Sequence, residues 1–299
     1  MPPLINVASK KFAGLFPTLL FTLNNPNAYD TSVSDYFGYA VALSGNYALV
    51  GSYGEDDAEG TQSGKAYIFD VTTGNLLQTL NNPNPYGTSA NDYFGRVVAL
   101  SGNYALVGAY GEDDAGGTSS GKAYIFDVTT GNLIHTLNNP NAYNTSAGDS
   151  FGYAVALSGN YALVGSYGED DAGGTDSGKA YIFDVTTGNL LHTLNNPNAY
   201  DTSANDYFGY AVAISGNYAL VGAFGEDDAG GTDSGKAYLF DVTTGNLIHT
   251  LNNPNPYSTS AGDSFGYAVA LSGNYALVGA HGEDDAGGTD SGKAYIYKL

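Results

Sequence analysis

Residues 151–194 read FGYAVALSGNYALVGSYGEDDAGGTDSGKAYIFDVTTGNLLHTL, and the fold is decided within them. Four short runs of alternating or β-branched residues lie between clusters of Gly, Asn, Ser and Thr, which is the punctuation of strands and tight turns. Residues 153–157 form the first expected strand and 161–164 the second. Only Ser158-Gly159-Asn160 separates them, so the pair must be a tight hairpin. Residues 179–184 and 190–194 supply strands three and four. No segment carries a useful 3.6-residue apolar period, which leaves no place for a helix.

The same text recurs. Phe-Gly stands at Phe37, Phe94, Phe151, Phe208 and Phe265, always 57 residues apart. Four antiparallel strands repeated radially make the blade of a β-propeller, and five copies make five blades. The fifth copy stops at Leu299, directly after its third strand, whereas residues 19–23 (LLFTL) followed by NNPN match residues 76–80 followed by the same NNPN. The expectation is an all-β, five-bladed β-propeller over residues 19–299, four antiparallel strands per blade. It is closed by an N-terminal strand that completes the last blade and removes free edges. Residues 1–18 form an N-terminal extension.

Composition agrees and narrows the partners. With 42 glycines, 26 tyrosines, 13 phenylalanines and no tryptophan, the chain suits a turn-rich β protein with an aromatic core. There is no cysteine, hence no disulfide framework or thiol chemistry. Thirty acids against nine bases leave a net charge of −21. That balance excludes nucleic acid and anionic membranes as partners and favours cations or a cationic surface. No apolar run is long enough to span a bilayer.

The ordered set of Phe-Gly, a Val-Gly-Ala-like segment and Gly-Lys-Ala-Tyr-Ile-Phe resembles the FG-GAP repeat, the unit of integrin α-subunit propellers and of many bacterial surface proteins. The resemblance covers essentially residues 19–299, and five copies in register make it specific. It implies a propeller, a binding or adhesion role, and an extracellular or cell-surface setting. Two features depart from the pattern. The Pro of the GAP tripeptide is replaced by Tyr53, Tyr110, Tyr167, Phe224 and His281. The loop that carries calcium in integrin-type blades lies between strands one and two, and here it is only Ser-Gly-Asn, so that site is not implied.

In a four-strand meander the two-three and four-one connections emerge at one edge, and 26 of the 30 acids fall there. Candidate Ca2+ ligands, by their hard oxygens, are Glu55, Asp56, Asp57, Glu112, Asp113, Asp114, Glu169, Asp170, Asp171 and Asp176, with Glu226, Asp227, Asp228, Asp233, Glu283, Asp284, Asp285 and Asp290. The competing reading is that Asp, Gly and Thr are turn residues on a solvated rim, and the spacing lacks the alternation of an EF-hand loop. Asp35, Asp92, Asp149, Asp206 and Asp263, just before Phe-Gly, are expected to be buried acceptors of backbone N–H groups.

Tyr53, Tyr110, Tyr167, Phe224 and His281, with the lone Arg96, are the candidate ligand platform, or else packing between blades. The P-loop outline of Gly173, Gly178 and Lys179 fails, because Ala180 stands where Mg2+ needs Ser or Thr and a strand follows. His135, His192 and His249 lie a blade apart on strand four, too far to share a metal. The expectation is a monomeric, non-enzymatic binding or adhesion module with five similar sites for cations, a glycan or a protein. A pure scaffold is the first alternative and a glycan hydrolase the second.

Overall fold

The computed structural model describes residues 18–27, 32–58, 60–84, 88–141, 146–172, 174–198, 203–229, 231–255, 260–286 and 288–299. Of the expected N-terminal extension, only Thr18 falls within them. The first sheet holds β1 (Val41–Ser44), β2 (Tyr47–Ser52), β3 (Lys65–Asp70) and β4 (Leu76–Asn81). The second holds β5 (Val97–Ser101), β6 (Tyr104–Ala109), β7 (Lys122–Asp127) and β8 (Leu133–Asn138). The third holds β9 (Ala154–Ser158), β10 (Tyr161–Ser166), β11 (Lys179–Asp184) and β12 (Leu190–Asn195). The fourth holds β13 (Ala211–Ser215), β14 (Tyr218–Ala223), β15 (Lys236–Asp241) and β16 (Leu247–Asn252). The fifth has three strands, β17 (Phe265–Ser272), β18 (Tyr275–Ala280) and β19 (Lys293–Lys298). Every sheet is an antiparallel meander, and no helix occurs among the described residues.

Turn chemistry sets the meander. Ser158 pairs with Tyr161, so the first hairpin turns on Gly159-Asn160 alone, with Gly159 at φ 57° as its first residue. The expected loop residue Ser158 therefore belongs to the strand. At the third hairpin the Asp184 carboxylate accepts the N–H groups of Thr186 (2.7 Å) and Thr187 (2.9 Å). That side chain mimics a turn and frees the backbone to reverse.

Packing is between sheets rather than within them. Period-two alternation sends Leu163 and Ile182 toward the fourth sheet, where they join Val221, Tyr238 and Phe240. It sends Val164, Tyr181 and Phe183 back toward Leu106 and Ile125 of the second sheet. The middle sheets are thus buried on both faces, and each junction repeats the last. Approach is closest where Gly51, Gly108, Gly165 and Gly222 meet the carbonyl of the Gly that follows the next sheet's Phe. A Cβ on any of the four would lie 1.8–2.0 Å from that oxygen.

The two ends of the array differ from its interior. Leu277 is 41% exposed and Ile296 75%, although their equivalents Leu163 and Ile182 are fully buried. At the other end Val41 is 69% exposed, against 8% for Val155. A Cβ on Gly279 would meet nothing nearer than Ala268, at 3.6 Å. Closure of the ring is therefore not seen. Residues 19–23 are not hydrogen-bonded to β19 as its fourth strand, contrary to the expectation. They lie instead against the first sheet: Phe21 faces Gly74 as His135 faces Gly188, and Leu23 packs with Val50, Tyr67 and Phe69. Residues 19–23 form no strand of their own, and the fifth sheet has three strands.

Gly165→Ala should push two sheets apart and cost about 3 kcal/mol. Gly279→Ala, with open space before it, should stay within about 0.5 kcal/mol of the parent. Urea denaturation of both variants reads the difference, and equal losses would contradict the junction geometry.

Candidate functional site

The β2–β3 loop and its four counterparts form one edge of the array, and each opens with Glu-Asp-Asp. The Glu turns inward. Glu55, Glu112, Glu169, Glu226 and Glu283 have no exposed side-chain surface. Each pairs with the lysine that begins the next strand, at 2.6 Å for Lys65–Glu55 and Lys179–Glu169 and 2.8 Å for Lys122–Glu112; Lys236–Glu226 and Lys293–Glu283 are paired likewise. Two residues on and on the same strand face, Tyr67, Tyr124, Tyr181, Tyr238 and Tyr295 donate their hydroxyls to the same carboxylates at 2.5–2.8 Å. Burial pushes the Glu112 and Glu169 carboxyls up, against the pull of Lys and Tyr. These five expected Ca2+ ligands therefore turn their carboxylates inward, toward Lys and Tyr, rather than to the outer surface of the loop.

The two aspartates that follow hold the loop in shape. Asp56, Asp113, Asp170, Asp227 and Asp284 accept the N–H of the residue six positions on (Gln62, Ser119, Asp176, Asp233 and Asp290), at 2.8–2.9 Å. Those donating residues all sit at positive φ, between 51° and 56°, so the carboxylate pins a strained backbone turn. Asp57, Asp114, Asp171 and Asp228 accept the N–H of Gly60, Gly117, Gly174 and Gly231. They also accept the hydroxyls of Ser89, Ser146, Ser203 and Ser260, ahead of the next sheet, at 2.8–3.0 Å. The expected Ca2+ sites are not assembled: among the described residues no three His, Asp or Glu side chains come together to hold a metal. Asp176, Asp233 and Asp290 enter the loops through their backbone.

The aspartate before Phe-Gly is buried as expected, but its partners are different. Asp35, Asp92, Asp149, Asp206 and Asp263 accept side-chain amides from both asparagines of the preceding Asn-Pro-Asn, at 2.5–2.8 Å. Burial pushes the Asp92 and Asp149 carboxyls up to about 7, outweighing these amides.

The aromatic positions are partly exposed and form rows of stacked and edge-on rings. Tyr53 stacks on Tyr36 at 4.9 Å and meets Tyr39 edge-on at 4.7 Å; Phe224 stacks on Tyr207 at 5.0 Å and meets Tyr210 edge-on at 4.7 Å. Tyr110 and Tyr167 are likewise held by Tyr93, Tyr153 and Tyr210. Some of these contacts cross from one sheet to the next, as between Tyr53 and Tyr93 and between Tyr110 and Tyr153. Arg96 stands where other copies carry Tyr, its guanidinium over Tyr153 at 4.7 Å and Tyr110 at 5.0 Å. Beyond it the first-strand tyrosines form a hydroxyl ladder, Tyr153 to Tyr210 to Tyr267, at 3.2 and 3.1 Å. His281, at the open end, is exposed beside Tyr267. His135 and His192 bond the carbonyls of Thr186 and Thr243 across a junction, at 3.1 Å each.

Five segments, residues 27–69, 85–126, 141–183, 198–240 and 256–297, match the FG-GAP repeat. The chain belongs to the FG-GAP repeat family. No curated protein matches it. The family suggests a binding or interaction module. Each of the five buried Glu is paired with its own Lys, and the aspartates that follow lie nearer the surface of the edge.

Two predictions follow from these networks. Glu169→Gln leaves the Lys179 ammonium buried without its counter-charge and should cost about 3 kcal/mol. Glu169→Leu with Lys179→Met and Tyr181→Phe should recover most of it, as read by urea denaturation. The second concerns pH. A carboxyl whose folded pKa is raised above the ordinary value of about 3.9 stabilises fully below that value and loses its contribution as pH rises through about 7. Asp70, Asp127, Asp184 and Asp241 are held low by threonine hydrogen bonds and act oppositely, losing their contribution as pH falls below about 4. Thermal stability should peak near about pH 5 and decline toward about pH 8, and Asp92→Asn with Asp149→Asn should flatten that decline.

Proposed function

We propose that the chain is a non-enzymatic interaction module of propeller type, its sheets acting as blades, which presents a five-fold acidic edge to a cationic protein surface. The observation that carries the reading is the division of labour in Glu-Asp-Asp: Glu is fully buried and paired with the lysine that begins the next strand, whereas the Asp pair lies at the partly exposed surface of the loop, in a chain of net charge −21. Repetition favours a partner met at several points, since weak contacts in series add. A catalytic reading has little support, because each repeated acid already holds a loop, an asparagine pair or a lysine. A glycan platform is disfavoured by aromatic rings that pack on one another.

Asparagine can accept the same backbone N–H as aspartate, so Asp113→Asn, Asp170→Asn and Asp227→Asn remove charge while keeping the loops. A fluorescent lysine-rich peptide should bind the parent, weaken at least about tenfold as salt is raised from low to physiological strength, and bind the triple variant more weakly still. Equal binding to parent and triple variant, or none to either, would leave a scaffold as the better reading.

A further inference from the structure

One-electron oxidation has few places to land on this chain. There is no cysteine, no tryptophan and one methionine, against 26 tyrosines. Three of those tyrosines stand in a row that crosses two junctions. Tyr153, Tyr210 and Tyr267 each lie two residues after the Phe of a Phe-Gly pair, 57 residues apart, where the third, fourth and fifth sheets begin.

Their rings meet by the hydroxyl ends. The oxygens of Tyr153 and Tyr210 are 3.2 Å apart and those of Tyr210 and Tyr267 3.1 Å, with ring centroids 5.1 Å apart in both pairs. Arg96 gives the row its direction. A guanidinium only donates, so the Tyr153 oxygen, 3.5 Å from Arg96 Nη2, accepts, and the Tyr153 proton points to Tyr210. Tyr210 in turn donates to Tyr267. Burial pushes the Tyr210 phenol above its ordinary range, and its two hydroxyl bonds act the same way. Tyr210 is therefore a neutral phenol at neutral pH. A neutral phenol that loses an electron must shed its proton as well, and the adjoining oxygens give that proton a path.

We propose that Tyr153, Tyr210 and Tyr267 are an oxidation site, at which a one-electron oxidant installs a covalent staple between neighbouring sheets. The first equivalent of oxidant takes an electron from one phenol, whose proton goes to solvent. The radical is then shared along the row. The hydroxyl hydrogen of Tyr210 passes to the Tyr267 oxygen, and that of Tyr153 to the Tyr210 oxygen, with no change in charge. A second equivalent makes a second radical in the same row. Two neighbouring radicals join through ring carbons ortho to oxygen, which flank the point where the hydroxyls meet. The two ortho hydrogens move to the oxygens and restore both phenols. One carbon–carbon bond has formed, with two electrons passed to the oxidant and two protons to solvent. Ring proximity alone does not single these pairs out. Tyr36 and Tyr53 stack at 4.9 Å, and Tyr167 lies 4.6 Å from Tyr153, but neither pair is joined hydroxyl to hydroxyl. Both proposed links span junctions inside the chain, and neither draws on the acidic edge.

The test exposes the full chain, at high dilution, to light with tris(bipyridine)ruthenium(II) and persulfate. These generate a cationic one-electron oxidant that is drawn to a chain of net charge −21. Trypsin cuts after Lys122, Lys179, Lys236 and Lys293, so the three tyrosines fall on separate peptides. Dityrosine emission should appear at the mass of one chain, and mass spectrometry should find Tyr210 joined to Tyr153 or to Tyr267. Tyr210→Phe keeps the ring and removes both hydroxyl bonds, so both links should vanish. Arg96→Tyr sets a phenol beside Tyr153, as the other repeats do, and should add a link from position 96 to Tyr153. A link between residues 57 apart restrains the unfolded chain as a disulfide does. The oxidised parent should therefore melt above the untreated one, and oxidised Tyr210→Phe should show no rise. Three outcomes would overturn the inference: no dityrosine within the parent chain, a yield unchanged in Tyr210→Phe, or links formed equally at Tyr36–Tyr53 and Tyr153–Tyr167, which would mean that ring contact suffices.

Discussion

The contact on which the rest of the structure depends is the approach of one glycine to the carbonyl of another across each junction, Gly165 to Gly209 and its three internal equivalents. A four-stranded meander of this length cannot bury its own central strands. Leu163 and Ile182 need the sheet ahead, Val164 and Tyr181 the sheet behind, and both demands are met only if the backbones come close enough for the side chains around them to interlock. A single methyl at the contact would prevent that. The aromatic rows, the Asp–Ser bonds between successive units and the tyrosine ladder all cross the same gap and depend on its width.

That constraint also accounts for the acidic edge. The loops there must be rigid, because their carbonyls receive the N–H groups of the next Phe-Gly segment. A buried Glu–Lys–Tyr cluster anchors each loop from beneath, and the two following aspartates fix its turns from within. Most of the chain's acid is therefore structural in origin. What the loops have left for a partner is the remaining acceptor capacity of the aspartates, repeated at the spacing of the sheets. On the proposed reading, the interaction surface is a by-product of how the junctions are held.

Much of this was legible in the sequence, and the parts that were not have physical reasons. The Phe-Gly period gave the sheets, and the Gly-Asn pair gave the first hairpin, because both report local backbone chemistry. The role of Glu169 was readable in principle: one lysine per repeat begins a strand, and a tyrosine follows two residues later on the same face. Its acidic neighbours drew attention to metal instead. The partners of Asp149 were harder to see, since Asn139 and Asn141 look like loop residues until the fold turns them inward. The destination of residues 19–23 was beyond sequence altogether. Their pattern matches a fourth strand, yet they lie against the first sheet at Gly74 and beside Val50, Tyr67 and Phe69, contacts that only the assembled fold brings about.

Residue-resolved hydrogen exchange on a dilute single copy tests the account most directly. The amides of Phe94, Phe151, Phe208 and Phe265 donate across a junction, and the account predicts that all four exchange slowly while that of Phe37, at the open leading end, exchanges fast. Protection of Phe37 equal to that of the other four in a single copy would contradict it.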